Sequence, residues 1–448
     1  MPSIDRLDPI AREISGGLPW PVKAFLIGLV IPWIIPLGPL NLSAYRIILL
    51  VALLPTLWMW VRGKGGPIRV ADIAVILFCV WASLSFVMVA GFEQTIEAMG
   101  ILNIETMGAY LLARCYIRTA DDFRNMIQFA SNLVVFLLPF TLFEWITGAK
   151  PLLTGLAVIF PTLDITMMEP RWGFWRVQGP FAHSIVYGLF CGSFVALTYM
   201  VLGRGKGILA GLMRPAAITL AAFVSMSSAP IAGIVLQFAL ITWNSLLKRF
   251  TFRWKLLWGM ALVAYLIVEF GSNQTPVKFY ISRFTFDAQT GWFRLLIWDY
   301  GSASVANHPL FGIGLGQWVR PSWMPESVDN FWLLIAMRHG IPAVALLFVA
   351  WLAITCGVAY KKGLDERTDA YRTGFVFCMF MFLLVGCTVH FWAATYAWFM
   401  FMLGSGVWIL DVKPLETSSS ELPGSRSSKI GPSPEHRRHG TRLSAPRR

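Results

Sequence analysis

The sequence predicts an all-α polytopic membrane protein with about 12 transmembrane helices, and three observations carry that prediction. Apolar residues make up 56% of the 448-residue chain and charged residues only 14%, against about 25% charged in a soluble domain. Apolar runs recur every 20–25 residues or so, the length that spans a hydrocarbon core of roughly 30 Å. Lysines and arginines fall between alternate runs, as topology requires when basic loops are held inside.

The elements follow in order. Residues 1–23 form a cytoplasmic N-terminus, because Arg6, Arg12 and Lys23 precede the first run. No signal-peptide cleavage site follows that run, so it reads as a retained helix. Spans are expected at about 24–40, 44–61, 70–90, 98–116 and 126–147, with Arg62, Lys64, Arg114, Arg118 and Arg124 marking inner loops. A loop over 148–183 precedes spans at about 184–203, 209–226, 229–247 and 256–271. The longest loop, about 272–329, precedes spans at about 330–359, 373–389 and 391–410. The membrane domain therefore covers 24–411. Residues 412–448 read as a disordered basic cytoplasmic tail, rich in Ser, Pro and Arg and too poor in apolar residues to fold.

The net charge of +13 is accounted for by inner loops, the tail and lipid headgroups rather than by nucleic acid. Six dispersed cysteines lie in or beside apolar runs, with no CxxC and no zinc spacing. They read as small core residues, and no metal or other cofactor is expected.

The two long outer loops break the pattern. They carry arginines on the face where orientation does not need them: Arg171 and Arg176 in the first, Arg283, Arg294 and Arg320 in the second. A guanidinium keeps its charge and presents a planar fork to phosphate, so these residues point to an anionic ligand with an apolar or sugar part. The competing reading pairs them with headgroups or with Asp287 and Asp299. WFRLLIWDYGSASV suits a short interfacial helix, with Trp292, Leu295, Leu296 and Trp298 against lipid or the bundle. His308, before a proline, is a candidate ligand or simply a helix-end residue. The glycines of GIGLG follow no strand and are not a dinucleotide fingerprint.

Ser227 and Ser228 in SMSSAPIAG sit at a helix–helix turn, where small residues pack closely or a helix N-terminus receives an anion. Glu105, Glu144 and Glu269 lie in or near spans and are candidates for a proton path. Asp329 and Asn330 open the tenth span, as caps or, for Asp329, as a general base. Arg338 and His339 lie about two turns further along, before Gly340-Ile341-Pro342, where the helix is expected to kink.

From Arg176 to Pro342 the chain reads RVQGPFAHSIVYGLF, SMSSAPIAG, R-x-x-x-W, NHPLFGIGLG and DNFWLLIAMRHGIP in that order. This resembles the O-antigen ligase and O-antigen/exopolysaccharide polymerase family of bacterial polytopic membrane glycosyltransferases. The resemblance implies a GT-C-like fold with a large periplasmic loop, in the inner membrane, with both termini cytoplasmic. It implies a metal-independent inverting transfer from an undecaprenyl-diphosphate-linked glycan to a glycan acceptor. The alternatives are polymerisation of repeat units, ligation to lipid A core, and transport of a lipid-linked oligosaccharide.

By the resemblance, Arg294 and Asp329 are the catalytic candidates. Arg176, Arg283, Arg320, Ser227, Ser228, His183, His308, Asn330, Arg338 and His339 are candidates for diphosphate or sugar. Gly312, Gly314 and Gly316 form the turn. The implied partners are the lipid-linked donor, the glycan acceptor, membrane lipids and other polysaccharide assembly and export proteins. The chain departs from the family at two points. Asp329 stands where His is common, and Ser227-Ser228 is followed by Ala229 where an arginine is common after the serine. Arg176, Arg283 or Arg320 is then expected to supply the missing phosphate contact. These departures favour the polymerase branch.

Overall fold

The computed structural model describes residues 17–37, 40–283 and 288–414. The tail assigned to 412–448 and the N-terminus assigned to 1–23 lie mostly outside these residues, as does Asp287. Helices dominate, and eight of those described are long and apolar enough to cross a membrane. The protein is a multi-pass helical membrane protein.

The first expected span, about 24–40, is not one helix. Helix α1 is Trp20–Leu29. The chain then turns into a small antiparallel hairpin, β1 Ile34–Leu37 and β2 Leu40–Ser43, with Ile34 opposite Ser43. Pro32 and Pro36 explain the break, since each removes an N–H and clashes with the preceding turn. The hairpin docks on the 148–183 loop, where Ile34 N–H donates to Pro161 O at 2.7 Å and Leu163 N–H to Pro32 O at 2.9 Å.

Helix α2, Ala44–Val61, and α3, Val70–Ala90, follow as expected. The fourth expected span is α4, Phe92–Asn103, running through a π-helical turn into α5, Ala109–Tyr116. The π turn, Ile104–Gly108, holds Glu105, which accepts from Tyr45 Oη at 2.5 Å and Arg46 Nε at 2.8 Å. Helix α6, Ala120–Thr147, starts at a Thr119 capping box with Asp122. A short α7, Pro151–Leu156, lies in the first long loop.

The helical span α8, Ser184–Leu202, is the most deeply buried one. Helices α9 (Ile208–Phe223), α10 (Ser228–Leu246) and α11 (Arg253–Gly271) come next. Helix α11 has no buried residue and touches α15 mainly through Trp254 against Phe377 and Trp258 against Phe380. Two loop helices, α12 (Pro276–Arg283) and α13 (Ala288–Asn307), precede α14 (Phe331–Tyr360), α15 (Glu366–Gly386), α16 (Ala394–Ser405) and a last turn, α17 (Trp408–Asp411).

The main core gathers residues from α1 to α17, and within it Phe194 stacks on Trp398 while Phe190 meets both rings edge-on. A second, smaller core of Ile297, Trp318, Met324, Val328, Leu333, Leu334 and Met337 fastens the long loop to the first half of α14. At the end of the bundle away from that loop, Arg114 is fully buried against Asp72 at 3.2 Å, and Asp411 takes Arg69 and Arg118. Several basic residues there are held by specific acids as well as marking topology.

Helix α14 is broken, as Gly340-Ile341-Pro342 suggested. Gly340 has φ 80° and ψ 173°, and Pro342 follows. The break frees carbonyls that a continuous helix would use. The glycine turn meets them: Ile313 N–H donates to Met337 O at 2.8 Å and Gly314 N–H to Arg338 O at 2.9 Å. Ile341 N–H in turn donates to Pro309 O at 2.8 Å. The HPLFGIGLG and RHGIP stretches are therefore one hydrogen-bonded unit. Gly312 has φ 64°, and a Cβ there would come within 2.3 Å of Met337 O. Gly314 and Gly316 lie in the same turn, with Gly316 N–H donating to Ile313 O.

Candidate functional site

Arg294 lies on a stripe of α13 with Gly291, Ile297, Gly301 and Ser304, the buried positions of that helix. This spacing is one helical face, and it turns Arg294 into the protein with only 4% of its surface exposed. Gly301 permits the approach, since a Cβ there would lie 2.8 Å from Leu333. The expected short interfacial helix is thus a 20-residue helix packed on α14.

Burial holds the Arg294 guanidinium below its ordinary pKa. The charge of Asp329 and the phenol of Tyr280 push it back up, and Arg171 pulls it down. Burial likewise raises the Asp329 carboxyl and Arg294 lowers it. Asp329 is half-buried.

The Asp-Asn pair divides its work. Asn330 Oδ1 accepts from Leu333 N–H at 3.0 Å and caps α14. Among the described residues Asp329 makes no capping bond, which leaves its carboxylate to the Arg294 side.

A second group arrives from the first long loop. Arg171 Nη1 donates to Met226 O at 2.8 Å, and Arg176 Nη2 donates to Ser227 Oγ at 3.2 Å. Ser227 and Ser184 hydroxyls lie 3.1 Å apart. Met226 has a positive φ of 49°, a strained conformation for a side-chain-bearing residue. It turns the chain into α10, whose N-terminal end, with its positive dipole, begins at Ser228. Burial pulls the Arg176 guanidinium down to about 10, aided by the charge of Arg171.

The loop is held by Glu144, which accepts from Lys150 Nζ at 2.7 Å, Gln178 N–H at 2.8 Å and Gly179 N–H at 3.1 Å. Glu144 and Glu105 are thus engaged in fixed networks, and Glu269 is exposed on α11.

Arg171 connects the two groups, since its charge acts on both Arg176 and Arg294. Arg171 and Arg176 therefore gather at the Ser227 and Ser184 hydroxyls, and Arg294, beside Asp329, lies within electrostatic reach of Arg171. Converging like charges are costly unless an anion answers them, and bidentate guanidinium groups suit phosphate oxygens.

His183 borders this group. Its Nδ1 accepts from Ile185 N–H at 3.2 Å and its ring lies 5.8 Å from Trp392. Burial, then the charges of Arg176 and Lys150, pull it down to about 4, so it is neutral at physiological pH.

Other expected residues lie apart from this group. Arg283 is exposed and stacks over Phe279 at 5.6 Å. Arg320 is occupied by Gln317 at 2.8 Å, Glu326 at 2.8 Å and Met324 O at 3.1 Å. His308 is exposed at the end of α13, its N–H closing the last turn. His339 turns toward α3, with Nδ1 2.8 Å from Ser85 Oγ and its ring edge-on to Phe86. Ser228 is half-buried in the first turn of α10. Arg338 lies in a neighbouring cleft.

Of the three arginines expected to replace the missing phosphate contact, only Arg176 reaches the serine turn. Arg171, which joins it, was legible only as a charge on the outer face. Tyr280, in the long loop helix α12, carried no signal in the sequence. Among the described residues no three His, Cys, Asp or Glu side chains gather in a group fit for a metal.

Residues 216–348 match the family model described as O-antigen ligase. The similarity to that family lies in this segment, about a third of the chain. The matched segment runs from the middle of α9 to the middle of α14, and so includes Ser227, Arg294, Asp329 and the glycine turn. Arg171, Arg176 and His183 come from outside the matched segment. No curated protein matches the chain.

Proposed function

We propose that the protein polymerises oligosaccharide repeat units carried on undecaprenyl diphosphate, at the periplasmic face of the bacterial inner membrane, with both termini in the cytoplasm. The observation that carries this reading is that Arg171 and Arg176 hold the Met226-Ser227 turn while Arg171 acts by its charge on Arg294, which faces the Asp329 carboxylate.

In this reading the arginines receive the diphosphate of the donor. Asp329 accepts the proton of the acceptor hydroxyl as that oxygen attacks the anomeric carbon. The bond from that carbon to the diphosphate oxygen breaks, and its electron pair leaves with the lipid diphosphate. Fixed guanidinium groups stabilise the departing charge without reorganising. A single displacement of this kind inverts the anomeric centre and routes no step through a metal. The GT-C-like class goes with this reading. Burial raises the Asp329 carboxyl toward a stronger base, and the charge of Arg294 opposes that rise.

The matched family's description favours a second reading, transfer of finished glycan to lipid A core. The Asp at 329, where the resemblance expects His, favours polymerisation. Deleting the gene separates the two: accumulated single lipid-linked repeats support polymerisation, and normal-length polymer left on its lipid supports ligation. In the deletion background, Arg294→Ala and Asp329→Asn should fail to restore long chains although both reach the membrane at wild-type levels. Long chains from Arg294→Ala would refute the arginine assignment, and long chains from Asp329→Asn would refute general-base catalysis.

A further inference from the structure

A cleft of about 380 Å³ opens beside the arginine group, between the glycine turn, the 326–328 segment and α14. Arg338 lines it, half-buried, with no hydrogen-bonding or ion-pair partner for its guanidinium among the described residues. His390 lines it too, and its buried Nδ1 has no hydrogen-bond partner among the described residues. Trp318 and Trp392 supply indole walls, and Gln317 sits at the turn. Glu326, the acid lining this cleft, is bound by Arg320 at 2.8 Å and forms no ion pair with Arg338.

A half-buried guanidinium without a partner is costly. Lipid headgroups are a poor explanation, because both wall tryptophans are held by the fold. Trp318 Nε1 donates to Glu326 O at 3.1 Å, and the Trp392 ring lies 5.5 Å from His390. Flat aromatic walls beside a single fixed cation fit a sugar ring bearing a carboxylate.

The place fits as well. Ser327 and Val328 line the cleft, and the next residue is Asp329. Trp392 connects it to His183 and hence to Arg176.

Resting on the glycosyl-transfer reading above, we propose that this cleft is an acceptor subsite that takes an acidic sugar. Arg338 would bind its carboxylate, and the sugar bearing the attacking hydroxyl would reach Asp329. The acceptor would then be a uronic-acid-containing glycan, or one carrying an equivalent carboxylate. The burial of His390 beside Arg338 keeps it neutral, pulled down to about 3, so it can serve as a hydrogen-bonding partner to the sugar without adding charge.

The test uses the full-length protein in nanodiscs and measures binding of a glucuronyl-glucose disaccharide against cellobiose and against the methyl ester of the acid. The expected result is binding of the acid at least about tenfold tighter than either neutral probe, the worth of one charge-assisted hydrogen bond. Arg338→Gln should erase the preference, Arg338→Lys should keep part of it, and Arg294→Ala should retain it in full.

Equal binding of acid and ester to the wild type would overturn the proposal, and that arm requires no variant to fold. So would a preference that survives Arg338→Gln. Inorganic phosphate competing at Arg338 as strongly as the sugar acid would also overturn it, by making the cleft a phosphate site. Arg294→Ala separates this proposal from the function it rests on: long polymer from that variant refutes the transfer chemistry, whatever the disaccharide does.

Discussion

Replacing Gly340 by Ala should unseat the long loop. Gly340 adopts φ 80° and ψ 173°, a conformation costing roughly 1–3 kcal/mol for a residue with a Cβ. The added Cβ would lie 1.9 Å from Leu310 O and 2.8 Å from Pro309 O, both backbone atoms that cannot swing away. Relieving that contact moves the turn and strains three hydrogen bonds: Ile341 N–H to Pro309 O, Ile313 N–H to Met337 O and Gly314 N–H to Arg338 O. At about 0.5–1.5 kcal/mol each for the bonds, added to the backbone strain, the combined loss is about 2.5–7.5 kcal/mol. The assay is thermal unfolding of purified protein in detergent, followed by tryptophan emission, with limited proteolysis to locate the loosened segment. Gly155→Ala is the control, because a Cβ there meets nothing within 4 Å. The expected outcome is a marked fall in midpoint for Gly340→Ala, with early cleavage between α13 and α14. An unfolding midpoint and cleavage pattern matching the control would refute the claim that the glycine turn and the broken helix are one unit.

Four further outcomes are expected. His339→Gln should lower stability by about 1 kcal/mol, the worth of its bond to Ser85, while activity per folded molecule stays near wild type; a collapse of activity at full stability would place His339 in the site. Arg171→Ala and Arg176→Ala should each weaken inorganic pyrophosphate binding about tenfold or more, read by competition in detergent, and unchanged binding would remove them from the diphosphate site. Activity should fall on acidification at a pH above that of an ordinary aspartate, because burial raises Asp329; the same shift means that the folded state holds this proton more tightly than the unfolded chain, so this carboxyl weakens the fold as pH rises from its unfolded to its folded pKa. Asn330→Ala should cost about 1 kcal/mol through loss of the cap on α14, measured by the same melt, and no loss would reassign the cap.

Hydropathy located most helices to within a few residues. In a hydrocarbon core every backbone N–H and C=O must be satisfied within the segment, so an apolar run of the right length has little choice but to be a helix. Residues 70–90 and 330–359 are read this way and fold as α3 and α14. Hydropathy misjudged 24–40, because an averaged apolarity does not register Pro32 and Pro36, which end α1 and leave a hairpin. The kink at Gly340 was legible in the Gly-Ile-Pro stretch. Its partner in the glycine turn was not, because hydrogen bonds between segments some 25 residues apart leave no periodic trace.

The candidate site divides along the same line. Local chemistry in the sequence singled out Arg294, Asp329 and Ser227 as separate candidates. Whether Asp329 or Asn330 caps α14 was open until the Asn330–Leu333 bond assigned it. Five arginines in the outer loops looked alike on the page. Only packing sorted them: the buried face of α13 draws in Arg294, Glu144 and its loop carry Arg171 and Arg176 to the serine turn, and Arg320 is spent on Glu326. By itself the sequence determined a membrane-spanning helical chain with spare positive charge outside the topology rule, because composition and spacing meet the bilayer directly. Only the tertiary structure decided which charges converge, because convergence depends on contacts between residues some fifty positions apart, as Arg171 with Met226 and Arg176 with Ser227, and neither hydropathy nor helical period encodes them.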